Sequence, residues 1–83
     1  MEIFSTSEFD KDFKKADKEA VKRIRYLITE LKTSNYLGKE LAHAKRTYSI
    51  RIGNKRFVYR VENDKVILLF FESRENVYDY LRE

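Results

Sequence analysis

Two arginines flank a Gly-Asn pair in the stretch TYSIRIGNKRFVYRV, residues 47–61. If Gly53-Asn54 forms a two-residue hairpin turn, Arg51 lies directly opposite Arg56 on the next strand. Like charges in that position destabilise a sheet, and residues 47–61 contain no acidic side chain to neutralise them. Guanidinium groups without a counter-charge are suited to a phosphate, because their planar fork binds its oxygens bidentately.

A solvated sheet face is the alternative interpretation of the same arginines. In that case carboxylates from outside the hairpin, such as Glu72, Glu75 or a residue of a loop, pair with them. Both interpretations remain open at the level of the hairpin alone.

The composition excludes several kinds of site. The chain has 83 residues with no cysteine and one histidine, so disulfides, thiolate metal sites and His-rich zinc sites are excluded. The sequence also has no metal-ligand spacing and no glycine-rich phosphate loop, so we expect neither a metal nor another cofactor. The net charge of +4 favours a polyanion or an acidic protein as partner. No long apolar run and no signal-peptide pattern occurs, so we expect a soluble, cytoplasmic protein without a membrane partner.

Other polar residues have ordinary explanations. His43 stands in an irregular segment, which is typical of a surface residue. Four carboxylates lie between lysines on the predicted helices, which favours solvated ion pairs over acid–base catalysis: Asp10, Asp12, Asp17 and Glu19. A basic run on the same helices is a solvated face or a contact with nucleic-acid backbone, and comprises Lys11, Lys14, Lys15, Lys18, Lys22, Arg23 and Arg25.

Two helices follow a short apolar N-terminal strand, MEIF. The segment Ser5-Thr6-Ser7-Glu8 fits a capping box with Ser5 as the N-cap, and Asp17 fits a second N-cap. Apolar side chains recur behind each cap at helical spacing. They are Phe9, Phe13 and Ala16 in the first helix and Val21, Ile24, Leu27, Ile28 and Leu31 in the second.

From Thr47 the apolar period changes from 3.6 to 2, which predicts strands at Thr47–Ile52, Lys55–Glu62 and Lys65–Glu72. The expected fold is α+β: a single domain, residues 1–83, with an N-terminal strand, a two-helix hairpin, three antiparallel strands in a small twisted sheet covered by helices on one face, and a short C-terminal helix. Before the sheet, Gly38 suits a positive φ and Leu41 is expected to anchor its loop to the core.

The strand register predicts which side chains share a face. Tyr48 opposes Tyr59, Ile50 opposes Phe57, and Phe57 in turn meets Phe70, so these residues form the core face. The other face carries the arginines together with an apolar strip, which the C-terminal tail or a partner protein covers. This strip comprises Ile67, Leu69 and Phe71.

Element order and motifs together resemble the RelE/ParE toxin superfamily. Gly38-Lys39-Glu40-Leu41 looks like the G-K-x-L of that family, and YSIRIGN and KRFVY, which begin at Tyr48 and Lys55, are similar to its YRIRVGD and YRVIY. The ending SRENVY, which begins at Ser73, is similar to HRRDVY.

The resemblance implies a ribosome-dependent mRNA endonuclease, the toxin of a type II toxin–antitoxin pair, with its cognate antitoxin and mRNA on the ribosome as partners. It implies metal-free attack of the ribose 2′-OH on the phosphate. Carried over by position, the catalytic residues are Arg51 and Arg56 as the phosphate clamp, with Arg74 and Tyr78 assisting. We expect further RNA contacts from Lys45, Arg46, Ser49, Lys55 and Arg60.

Three positions differ from the family pattern. Ser49 stands where the family often has a basic residue, two positions before Arg51, and Ser73 and Glu75 replace the histidine and the second arginine of the ending. The alternatives are therefore a ParE-like toxin that targets DNA gyrase, a catalytically degenerate binding module, and a basic nucleic-acid-binding domain without catalysis.

Overall fold

The structure is a computed structural model that describes residues 2–42 and 44–73. Its order of elements is strand, two helices and four strands, which confirms the predicted strand–helix–helix–sheet order. The elements are β1 (Glu2–Ser5), α1 (Ser7–Lys15), α2 (Lys18–Lys32), β2 (Lys39–Glu40), β3 (Thr47–Ile52), β4 (Lys55–Glu62) and β5 (Lys65–Ser73). The sequence did not predict β2, and the predicted C-terminal helix falls in residues 74–83, which are not described.

One of the two predicted helix caps is wrong. Asp17 caps α2 as expected, because its carboxylate accepts a hydrogen bond from the backbone N–H of Ala20 at 2.8 Å. The N-cap of α1 is Thr6 rather than Ser5, and its hydroxyl accepts from the N–H of Phe9 at 3.1 Å. Ser5 is still part of β1, where it pairs with Leu68, so it is not available to cap the helix.

The described strands form one mixed sheet in the order β1-β5-β4-β3-β2, with β1 parallel to β5 and the other pairs antiparallel. Both helices pack their apolar sides on one face of this sheet, which we call the helix face. Neither described helix is long and apolar enough to cross a membrane. The buried core on the helix face consists of Phe9, Ala20, Ile24, Leu27, Leu31, Ile52, Phe57, Tyr59, Val61, Val66, Leu68 and Phe71.

The register of the β3–β4 hairpin is the one predicted. Tyr48 opposes Tyr59, Ile50 opposes Phe57, and Arg51 opposes Arg56. The two-residue turn is allowed because Gly53 adopts a φ of 64°, a left-handed conformation that glycine reaches without strain. Because side chains alternate along a strand, Arg51 and Arg56 point away from the helices.

The predicted pairing of β4 with β5 is correct only as far as Leu68. Tyr59 opposes Leu68, but the next pair joins Val58 to Phe70, so Leu69 is an extra residue in β5. This β-bulge exchanges the faces of the residues that follow. Phe57 therefore meets Phe71 rather than Phe70, and Phe71 lies in the helix-face core rather than in the apolar strip of the other face.

Side chains of the N-cap and of the middle of α1 bind the bulged part of β5. The hydroxyl of Thr6 donates to the carbonyl of Leu69, and the N–H of Phe71 donates to the carboxylate of Asp12 at 3.1 Å. β1 pairs with β5 only up to Leu68, so these two hydrogen bonds satisfy strand groups that β1 does not reach.

Thr6→Val should lower the free energy of unfolding by roughly 1–2 kcal/mol, because it removes both the cap of α1 and the donor to Leu69. Thr6→Ser should retain most of the stability. Urea unfolding followed by circular dichroism measures the difference. Ser5→Ala is the matched control and should change stability by less than about 0.5 kcal/mol, since the Ser5 hydroxyl makes an exposed bond to Asp10. Equal losses for Thr6→Val and Ser5→Ala would contradict the assignment of the cap.

Candidate functional site

Arg51 and Arg56 lie side by side on the sheet face opposite the helices, which we call the arginine face. Arg51 is exposed and Arg56 is half-buried. Each guanidinium makes one long hydrogen bond: Arg51 Nε donates to the carbonyl of Gly53 at 3.3 Å, and Arg56 Nη1 donates to the hydroxyl of Ser49 at 3.4 Å. A guanidinium has five N–H donors, so both arginines retain donors for an anion.

Neither arginine is neutralised within the part of the chain that the structure describes. There, the only ion pair within 4.0 Å joins Arg60 to Glu62, at 3.1 Å. Glu72 opposes Arg56 in the register of β4 and β5, yet the two side chains do not form an ion pair of that length. Within the described residues, the site is therefore a pair of cations beside the Glu72 carboxylate, which forms no ion pair with them.

Glu72 is in an environment that disfavours its charged form. Burial raises the pKa of Glu72, and the nearby carboxylates of Asp12 and Glu8 raise it further. Both neighbours lie on α1, the helix whose Asp12 binds the backbone of β5. Two carboxylates of α1 therefore lie near the end of β5 that carries Glu72.

Two of the predicted RNA-contacting residues lie away from the arginine pair. Lys55 is on the helix face, where its ammonium group sits 5.4 Å from the centre of the Phe71 ring. Arg60 is on the arginine face but pairs with Glu62, and it opposes Thr47 at the far end of β3. Ser49, by contrast, is buried on the arginine face and binds Arg56.

The remaining predicted site residues precede β3 or fall outside the description. Lys45 and Arg46 are exposed in the turn before β3, where the N–H of Arg46 donates to the Glu40 carboxylate at 2.7 Å. Arg74, Tyr78 and the sole histidine, His43, belong to the residues that are not described.

The apolar part of the arginine face differs from the predicted strip. Val58 and Phe70 are buried there, and Leu41 and Leu69 pack against them. Leu41 thus anchors its loop to the arginine face instead of the helix-face core. Phe70 replaces Phe71 in this apolar group because of the bulge at Leu69.

Lys39 is a basic residue of this face that the sequence did not assign to the site. The short strand β2 places it opposite Ser49, and side chains of opposed residues share a face. The signal in the sequence was the motif Gly38-Lys39-Glu40-Leu41, whose alternation of Lys39 and Leu41 fits a strand.

No group of three or more potential metal ligands occurs among the described residues.

Comparisons with known proteins agree on one family. The model of the ParE toxin of the parDE type II toxin–antitoxin system matches residues 3–78. The toxin RelE3 of Methanocaldococcus jannaschii is 31% identical to this chain, and the match covers 96% of this chain and 98% of that protein.

Solved structures give the same result. The RelB–RelE antitoxin–toxin complex from Methanococcus jannaschii superposes with a TM-score of 0.77 and 30% identity, covering 93% of this chain and 96% of the other. The isolated E. coli RelE toxin has a TM-score of 0.76 at 17% identity, covering 95% of this chain and 92% of that one, and at this identity it shows the shared fold alone.

Glu72→Gln should make the protein more stable than the wild type at neutral pH. A carboxyl group whose pKa is raised by folding stabilises the folded state fully below its ordinary pKa, and that contribution is lost as pH rises through the folded pKa. The substitution removes this loss while it retains the shape of the side chain. Urea midpoints between pH 3.5 and 7.5 measure it, as the difference between variant and wild type. A difference that stays constant over this range would contradict the assignment.

Proposed function

Because this chain belongs to the RelE/ParE toxin superfamily, the toxins of type II toxin–antitoxin pairs, we propose that it is an mRNA endonuclease that acts on the ribosome and inhibits translation. The observation that carries this proposal is the opposed pair Arg51 and Arg56, which has no ion-pair partner among the described residues. A gyrase-targeting mode of action does not require such a phosphate clamp.

The proposed reaction is a transfer within the RNA chain. The ribose 2′-oxygen bonds to the adjacent phosphorus as its proton leaves, and the bond from phosphorus to the 5′-oxygen of the next nucleotide breaks. That oxygen takes up a proton, so the products are a 2′,3′-cyclic phosphate and a 5′-OH end. Negative charge accumulates on the phosphoryl oxygens during the step, and the donors of Arg51 and Arg56 stabilise it.

The ribosome supplies orientation in this proposal. The hydroxyl, the phosphorus and the leaving oxygen must be in line. Fixing reactants in the correct geometry can lower the activation barrier by several kcal/mol. Arg74 and Tyr78 are proposed, from the family resemblance, to assist at the leaving oxygen and to stack on a base. An unperturbed tyrosine has a pKa near 10, so Tyr78 would need nearby cations to act as a base at neutral pH.

A cognate antitoxin is the proposed protein partner. The relative from Methanococcus jannaschii was solved as an antitoxin–toxin complex, and a basic domain of this size gains stability from any partner that binds only its folded form. An acidic or amphipathic antitoxin that covered Arg51, Arg56 and the apolar side chains of Ile67 and Leu69 would block the proposed site.

A gyrase poison is the second candidate, since the matching family model is that of the ParE toxin. This candidate predicts growth arrest with DNA breaks and intact mRNA. The first candidate predicts mRNA cut within codons of the ribosomal A site, with intact DNA. Harmless expression would instead favour a catalytically degenerate binding module.

Arg56→Ala and Arg51→Ala should each slow cleavage by roughly 100-fold or more, the usual cost of removing a donor to a developing oxyanion. Purified protein is added to ribosomes programmed with a defined mRNA, and primer extension maps and times the cuts. Arg56→Lys should recover only part of the activity, because an ammonium group cannot bind two oxygens in the guanidinium geometry.

Lys32→Ala is the matched control, a cation removed from the exposed end of α2. It should cleave at the wild-type rate. Circular dichroism confirms that each variant is folded. Wild-type rates for the folded Arg56→Ala variant would contradict the arginine clamp, and uncut mRNA with wild-type protein would contradict the proposed function itself.

A further inference from the structure

Lys39 is held on the arginine face by the backbone around it. Gly38 has a φ of +98°, and a Cβ atom there would lie 2.7 Å from the carbonyl oxygen of Ser49 and 2.6 Å from Cγ1 of Ile50. Only glycine permits this close approach of β2 to β3. The preceding residue, Leu37, is also fixed, because its carbonyl accepts a hydrogen bond from the hydroxyl of Tyr59 in the core.

Two independent contacts indicate which way the side chain of Lys39 points. Lys39 opposes Ser49, and Ser49 binds Arg56 on the arginine face. Leu41 follows Lys39 by two residues and therefore lies on the same face, where it packs against Val58 and Phe70. Lys39 is also exposed, so its side chain lies on the solvent-accessible edge of the arginine face.

Lys39 and Arg51 are diagonal neighbours across β2 and β3. Such pairs have Cα atoms about 7–8 Å apart, a distance that long side chains span. Ser49 is opposite Lys39 and two residues before Arg51, and its side chain is uncharged and buried. Lys39 thus adds a third cation to the part of the arginine face around Arg51 and Arg56, one strand further out.

We propose that Lys39 binds a backbone phosphate next to the one clamped by the arginines. A lysine is a flexible point charge, which suits a phosphate that only has to be held, whereas the rigid fork of arginine suits the phosphate that reacts. This inference rests on the proposed function for the identity of the polyanion, RNA. It assigns to Lys39 a role in binding and to the arginines the role in the reaction.

A binding experiment that does not depend on cleavage tests the proposal. The probe is a fluorescein-labelled single-stranded 2′-O-methyl RNA, which lacks the attacking hydroxyl, and the dissociation constant is measured by fluorescence anisotropy at several salt concentrations. Lys39→Gln should weaken binding roughly three- to tenfold and reduce the salt slope by about 0.7, the loss expected for one phosphate contact to a single strand. Lys39→Glu should weaken it more, and Lys39→Arg should bind like the wild type.

Lys32→Gln and Lys32→Glu provide the matched series, with the same charge changes at an exposed position of α2 on the other side of the sheet. The proposal is overturned if Lys39→Gln and Lys39→Glu match their Lys32 counterparts in affinity and salt slope. Steady-state cleavage on programmed ribosomes adds a second readout. Lys39→Gln should raise KM with kcat nearly unchanged, whereas Arg56→Ala lowers kcat.

The failure of this proposal is distinguishable from failure of the proposed function. If the wild type cleaves mRNA and Lys39→Gln has the KM and salt slope of Lys32→Gln, the role of Lys39 is wrong and the function stands. If the wild type does not cleave but Lys39→Gln still loses one phosphate contact to the RNA probe, the role of Lys39 stands without the nuclease.

Discussion

The register of the β3–β4 hairpin is the constraint on which the rest of the structure depends. It opposes Tyr48 to Tyr59 and Ile50 to Phe57 on the helix face, and it must then oppose Arg51 to Arg56 on the other. Burying one large apolar side chain stabilises a fold by about 1.5–3 kcal/mol, whereas two like charges across a strand pair cost roughly 0.2–1 kcal/mol. The core therefore decides the register, and the arginine pair is its consequence.

Among the described residues, no carboxylate neutralises the arginine pair, although the register brings one close. Glu72 opposes Arg56, yet these side chains do not form an ion pair within 4.0 Å in the described part of the chain. Instead, burial and the carboxylates of Asp12 and Glu8 raise the pKa of Glu72. Each guanidinium makes one long hydrogen bond within the described part of the chain, which leaves most of its five donors unused there.

The bulge in β5 connects the helices to this face. Without the extra residue at Leu69, Phe71 would point away from the core and Glu72 would lie on the helix face. Thr6 and Asp12 hold the bulged segment through the carbonyl of Leu69 and the N–H of Phe71. Two side chains of the first helix and its cap thus hold the conformation that places Phe70 and Glu72 on the arginine face.

The sequence by itself determined every element whose signal is local. Apolar periodicity located both helices and the three long strands, Asp17 marked a helix start, and the two-residue turn at Gly53-Asn54 was sufficient to place Arg51 opposite Arg56. Because side chains alternate along a strand, Lys55 and its neighbour Arg56 lie on different faces of the sheet, although Lys55 was expected among the RNA contacts.

Only the tertiary structure decided the features that depend on residues far apart in the chain. Two hydrogen bonds hold the bulge: Thr6 binds Leu69, which is 63 positions later in the chain, and Asp12 binds Phe71, which is 59 positions later. The sequence of this strand does not reveal the bulge, because an uninterrupted apolar run such as VILLFF, which begins at Val66, fits either register equally well. The pairing of β1 with β5 is also long-range. It keeps Ser5 in β1, so Thr6 is the N-cap of α1. β2 has two residues, too few to produce a periodic signal, so Lys39 reached the arginine face only through its pairing with Ser49.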